Sequence, residues 1–166
     1  MGEAVANVAR RINTAMEDGS DTLDLSDCNL ISFPDGVLKM IRSRADKIQK
    51  ITLTNNKLKN LGDKFFTMFT SLTDLDLQGN TLTKLPHAFG EMQHLISINL
   101  SDNNFSVFPE QLMSVNTLQN INMSANQISE VPWERVCAMS ALSVLDLRSN
   151  PLTSSPHTSL KFTLLT

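Results

Sequence analysis

The sequence has no tyrosine, one tryptophan, three histidines and two cysteines, and aromatic residues fill only 5% of its 166 positions. Each shortage excludes something. Binding hot spots favour Trp, Tyr and Arg, so no aromatic-rich recognition patch is available. Cys28 and Cys137 are far apart and too few for a disulfide-built secreted module. No apolar run approaches the roughly 18 residues of a membrane-spanning helix. The opening MGEAVANVARRINTAMEDGSD holds no apolar core of signal-peptide length. Ala6 stands where a myristoylation signal places Ser or Thr. There is no GxSxG, P-loop, HExxH or paired CxxC, which argues against an enzyme, a bound metal or a cofactor. A pI near 5.5 without basic residues interleaved with aromatics argues against a nucleic-acid partner.

What is abundant is leucine, 23 residues, and asparagine, 15. Both are spent at fixed places. LTDLDLQGNTLTKLP from Leu72, LISINLSDNNFSVFP from Leu95 and LQNINMSANQISEVP from Leu118 share one pattern, L-x-x-L-x-L-x-x-N-x-L-x-x-L-P with apolar substitutions. The pattern extends upstream through Ile48, Ile51, Leu53, Asn56 and Leu58, and downstream through Leu142, Leu145, Leu147, Asn150 and Leu152. A weaker copy begins at Ser20 and places Cys28 where the others have Asn. Six copies starting near 20, 48, 72, 95, 118 and 142 define one array over residues 1–166.

In the x-L-x-L-x stretch alternate side chains face opposite ways, so Leu points inward and x points out. Stacked copies pair these strands into a parallel sheet. Asn56, Asn80, Asn103, Asn126 and Asn150 then form a buried ladder, since an amide side chain both donates and accepts. Between the strands, return segments add an apolar layer. The first is long enough for an amphipathic helix, with Val37, Leu38, Met40 and Ile41 at helical spacing. The ends need caps. Val5, Val8, Ile12 and Met16 predict a capping helix within residues 1–19, stopped by Gly19, and residues 157–166 predict a closing strand.

This string resembles the intracellular leucine-rich repeats of about 23 residues. GEAVANVAR, DTLDLSDCNLISFP, ITLTNNKLK, FPEQL and LRSNPL resemble a group of small proteins within that family, over about residues 2–152. The resemblance implies an α/β leucine-rich repeat solenoid, a curved right-handed superhelix with its parallel sheet on the concave face. It also implies a protein-recognition scaffold.

The expected function is therefore a non-enzymatic, cytoplasmic adaptor, monomeric, with an unidentified protein partner. The alternatives are an extracellular recognition module or an enzyme-associated subunit. The default binding surface is the outward sheet face, carrying Asp24, Lys50, Asp74, Asp76, Asn99, Asn122, Asp146 and Arg148, with Asp27 and Asp102 beside it. Asp74 and Asp76 are spaced by about 7 Å of strand, but an open sheet gives them nothing to tune their acidity. Sequons at Asn99, Asn104 and Asn122 are incidental to the repeat. Charge is unevenly spread: net -5 over residues 1–38, +6 over 39–64 and -4 over 65–166. The positive stretch includes Lys47, Lys57 and Lys59, a basic band for an acidic partner or anionic lipid. Trp133, at the start of a return segment, either packs across neighbouring turns or stands out as a binding anchor.

Overall fold

The computed structural model describes residues 2–166. Helix α1 (Gly2–Asp18) is followed by strand β1 (Thr22–Asp24), helix α2 (Asp35–Ile41) and a 3₁₀ turn (Arg42–Lys47). Then come β2 (Lys50–Thr52), α3 (Asp63–Met68), β3 (Asp74–Asp76) and a second 3₁₀ turn (His87–Glu91). The chain continues with β4 (Ser97–Asn99), α4 (Gln111–Ser114), β5 (Asn120–Asn122), α5 (Trp133–Cys137), β6 (Val144–Asp146) and β7 (Thr163–Leu165). The seven strands form one parallel sheet in chain order. Its register keeps each place of the repeat in line: Leu23, Ile51, Leu75, Ile98, Ile121, Leu145 and Leu164 lie side by side. This row belongs to the inward Leu positions, and all but half-buried Leu164 are buried. No helix among the described residues is long and apolar enough to cross a membrane.

The first return behaves as its spacing predicts for about two turns, burying Val37, Leu38 and Ile41. It then tightens into the 3₁₀ turn at Arg42. Later returns are only four to six residues of helix, too short to stand alone, and are held by what they bury. A run of rings joins the first three repeats: Phe33 to Phe65 at 5.2 Å, Phe65 to Phe69 at 4.9 Å and Phe66 to Phe89 at 5.3 Å between centroids. Such pairs add about 0.5–1.5 kcal/mol beyond the area they bury.

The Asn ladder is fully formed. Asn80 Oδ1 accepts from the Leu58 N–H of the preceding repeat at 3.1 Å, while Nδ2 donates to the carbonyls of Leu53 and Leu77, both at 3.0 Å. Asn103, Asn126 and Asn150 repeat this arrangement, and Asn56 accepts from both Cys28 and Leu30. Cys28 is buried on the first rung, and its thiol donates to the Ser26 carbonyl at 3.4 Å. Burial pushes its pKa upward, which suits a packing role and not a reactive one.

Helix α1 covers the open end of the array with Val8, Ile12 and Ala15. It ends at Gly19, whose φ of 63° closes the helix, with the Ser20 N–H bonded to the Ala15 carbonyl at 2.9 Å. At the other end β7 pairs with β6, and Phe162 beside it is buried.

Candidate binding surfaces

The sheet face presents two rows. The third-place row runs Thr22, Lys50, Asp74, Ser97, Asn120, Val144 and Thr163. The fifth-place row runs Asp24, Thr52, Asp76, Asn99, Asn122, Asp146 and Leu165. Seven of the eight residues expected to contact a partner, all but Arg148, therefore lie in these two rows, and Asp24, Asp76, Asn99, Asn122 and Asp146 share a line. Lys50 and Asp74 are direct neighbours.

Four of the fifth-place side chains turn back on their own repeat. In these a side-chain oxygen accepts the N–H two residues on: Asp24 from Ser26, Asp76 from Gln78, Asn99 from Ser101 and Asn122 from Ser124, all at 3.0 Å. Asn99 and Asn122 also accept from the Ser101 and Ser124 hydroxyls at 2.7 Å. These bonds bend the chain out of the strand, the local service that Asp and Asn perform in turns. The next residue but two is left-handed in every copy: Asp27, Asn55, Gly79, Asp102, Ala125 and Ser149 all have φ between 53° and 73°. Asp27 and Asp102 thus owe their place to a conformation that Asp tolerates. At Gly79 a Cβ would run into the Asn55 amide oxygen of the preceding repeat.

Two expected contact residues are occupied by one another. The Arg148 guanidinium grips Asp146 in a two-point pair, Nε to Oδ1 at 3.1 Å and Nη2 to Oδ2 at 2.7 Å. Asp146 is only 5% exposed, so it is not an outward contact; the β7 pairing and Arg148 cover it. The hydrogen bond from Arg148 holds its carboxyl below the usual range. Asp24 is also held low, first by the Ser26 hydroxyl and N–H and then by Arg11. Arg11 is a residue the sequence reading missed. Its Nη1 donates to the Asp24 and Ser26 carbonyls at 3.0 and 2.9 Å. It thereby covers backbone acceptors on the outer edge of β1, where another strand would otherwise pair. Its position between Val8 and Ile12, next to the buried stripe, was the only sequence signal.

Of the two readings of Trp133, packing across neighbouring turns holds and the exposed anchor does not. It is 9% exposed, and its indole N–H donates to the Ser154 hydroxyl at 3.1 Å. It packs into the interior of the last repeats and cannot serve as an exposed anchor, because both its ring and its polar handle are already satisfied. Lys47, Lys57 and Lys59 of the basic band do not converge either. Lys47 closes a return turn, Lys50 lies in the sheet row, and Lys57 and Lys59 are exposed beyond the ladder Asn56. Among the described residues no group of three His, Cys, Asp or Glu could hold a metal.

The feature missed altogether is a flank groove of ≈ 510 Å³ over the third to fifth repeats, lined in part by Leu85, Val107, Phe108, Met113 and Pro132. Val107 is 70% exposed, the most exposed large apolar residue described. Its copies in the neighbouring repeats are Lys84 and Glu130, so a lone Val at this place was visible in the repeat alignment. Gln111 stiffens the groove by donating to the Leu85 carbonyl at 3.0 Å.

The profile described as Leucine rich repeat matches residues 46–105. Leucine-rich repeat-containing protein 20 of Mus musculus is 60% identical over 154 residues, 93% of this chain and 84% of the relative. Its Homo sapiens counterpart is 53% identical over 95 residues, 57% of this chain and 52% of the relative. Two solved structures share the fold at low identity. The leucine-rich repeat domain of the type III effector XCV3220 (XopL) has a TM-score of 0.74 at 22% identity, covering 93% of this chain and 53% of that one. The leucine-rich repeat domain of APL1B has a TM-score of 0.68 at 21% identity, covering 84% and 40%. Repeat period, parallel register, Asn ladder and the 60% identical relative agree: the chain belongs to the leucine-rich repeat family.

Proposed function

We propose that this chain is a non-enzymatic intracellular adaptor that seats a protein partner in the flank groove of its third to fifth repeats. Leucine-rich repeats as a family support a protein-interaction module. The observation that carries the finer reading is Val107: a large apolar side chain left 70% exposed beside Met113 and Pro132 in a groove of ≈ 510 Å³. An apolar residue in a concavity is where binding gains most per area. The intracellular setting is supported by two free thiols, one buried within a ladder rung. Ordinary sheet-face binding is the second reading. It is favoured by Lys50, Asp74 and Asn120, which share the third-place row and stay clear of the hydrogen bonds that occupy the fifth.

The two readings separate by photo-cross-linking in cells. A benzophenone side chain placed at Val107 should trap a protein that the same group at Asn120 does not, and Val107→Glu should abolish recovery of that protein. An adduct formed only from Asn120 assigns binding to the sheet. Glycans found on Asn99 or Asn122 of the native protein would overturn the intracellular setting.

A further inference from the structure

A second groove, on the first two repeats, has a different chemistry. It encloses ≈ 570 Å³ between the first two returns and is lined by Asp35, Leu38, Lys39, Arg42, Lys64, Thr67 and Met68. The spacing explains the convergence. Residues 35, 38, 39 and 42 fall on one side of α2 and the turn that continues it, and 64, 67 and 68 fall on one side of α3. The packing of α3 against that turn sets the two sides along one cleft. Its floor is apolar: Leu38 is buried and Met68 half-buried.

Three cations share this cleft with one carboxylate. Asp35 reaches only Lys64, Oδ1 to Nζ at 4.0 Å, and both side chains are at least 75% exposed, so the pair offsets little of the local charge. Lys39 and Arg42 have no ion-pair partner among the described residues. Arg44, the next cation along, is committed elsewhere, donating to the Ser20 carbonyl at 3.4 Å. The positive stretch of residues 39–64, net +6, is flanked by stretches of net -5 and -4. An acidic ligand is therefore drawn to this part of the molecule and repelled by the rest.

We propose that the cleft between α2 and α3 binds an acidic peptide segment of a partner protein, its carboxylates paired with Lys39, Arg42 and Lys64 and an apolar side chain resting on Leu38 and Met68. An anionic membrane fits less well. An anionic lipid surface is read by clusters of about four to eight cations, whereas this cleft holds Lys39, Arg42 and Lys64 with the Asp35 carboxylate among them. The site is independent of the Val107 groove, which lies on other repeats.

The test is fluorescence anisotropy on the full chain. The probe is a labelled peptide of repeated Glu-Glu-Leu triplets, with a Gln-Gln-Leu peptide as control, and phosphatidylserine vesicles are assayed in parallel by flotation. The acidic peptide should bind and the Gln peptide should not. Replacing both cations in Lys39→Glu/Arg42→Glu should weaken binding by at least about tenfold, because reversed charges repel where they attracted. Lys57→Glu/Lys59→Glu, an equal charge change on exposed residues away from the cleft, should alter it by less than about twofold. Circular dichroism confirms that both variants are folded; all four positions are exposed. Equal losses in the two variants would reduce the effect to net charge and overturn the proposal. So would failure of the wild-type chain to bind the acidic peptide, or vesicle binding that depends on Lys39 and Arg42 while peptide binding does not.

Discussion

Asn103→Ala tests the ladder at its centre. The side chain is 5% exposed, and its Oδ1 accepts from the Leu82 N–H at 3.0 Å. Its Nδ2 donates to the carbonyls of Leu77, Leu100 and Ser101 at 3.0, 3.2 and 3.1 Å. These partners do not suffer equally. Leu77 and Leu100 keep the amides of Asn80 and Asn126, at 3.0 and 2.9 Å, and Ser101 keeps the Gly79 N–H at 3.1 Å. The Leu82 N–H is left buried without a partner, at about 1–3 kcal/mol. Each doubly bonded carbonyl loses one bond, at a net of about 0.5–1 kcal/mol. We expect a total near 3–5 kcal/mol, a large share of the roughly 5–15 kcal/mol that holds a domain together. Asn150→Ala makes the matching change on a half-buried rung where water can replace lost bonds, and should cost about 1–2 kcal/mol. Asn103→Asp keeps the acceptor but sets a carboxylate against three carbonyls, so at pH 7 it should be no more stable than Asn103→Ala. Urea unfolding is followed by Trp133 fluorescence and far-UV ellipticity. Coincidence of the two probes is required before a single free energy is read, because repeat arrays can unfold in parts. A loss below about 1 kcal/mol for Asn103→Ala, or one no larger than for Asn150→Ala, refutes the reasoning.

Two further outcomes follow from the same bookkeeping of contacts. Trp133→Ala should cost about 3–5 kcal/mol in thermal or urea unfolding, as expected for an emptied buried ring site; a stability unchanged by the substitution would return Trp133 to the surface. Asp24 and Asp146 have folded pKa values below the ordinary carboxylate range, through Ser26 and Arg148 respectively. Their contribution is complete above the unfolded value of about 3.9 and is lost as pH falls through the lower folded values. The stability deficit of Asp24→Asn/Asp146→Asn at pH 7 should therefore shrink on acidification toward about pH 2, and a deficit constant over that range would contradict the assignment.

Much of the fold was legible because each repeat restates the same local rule. Leu75, Ile98 and Ile121 are register partners as the alignment sets them, and the Asn residues at the ninth place all reach the preceding repeat. The candidate site was less legible. Asp24, Asn99 and Asn122 do sit on the outward face, but alternation says only which way a side chain leaves the backbone. It does not say that the side chain folds back onto the N–H two residues later. Asp146 was read as exposed because its closest cover, Arg148 and the β7 pairing, comes from the end of the array where the repeat pattern stops.

Sequence alone determined the period, the inward and outward faces, the ladder and the need for end caps. Those properties follow from residue spacing, and a six-fold restatement makes the spacing unmistakable. Tertiary structure decided which polar atoms remain free and where concavities open. Val107 becomes a groove residue only because Pro132 and Met113 arrive from adjacent segments, and Lys39, Arg42 and Lys64 share a cleft only because two returns pack side by side. A strand's own periodicity fixes direction, but a binding surface is made by what neighbouring repeats leave uncovered.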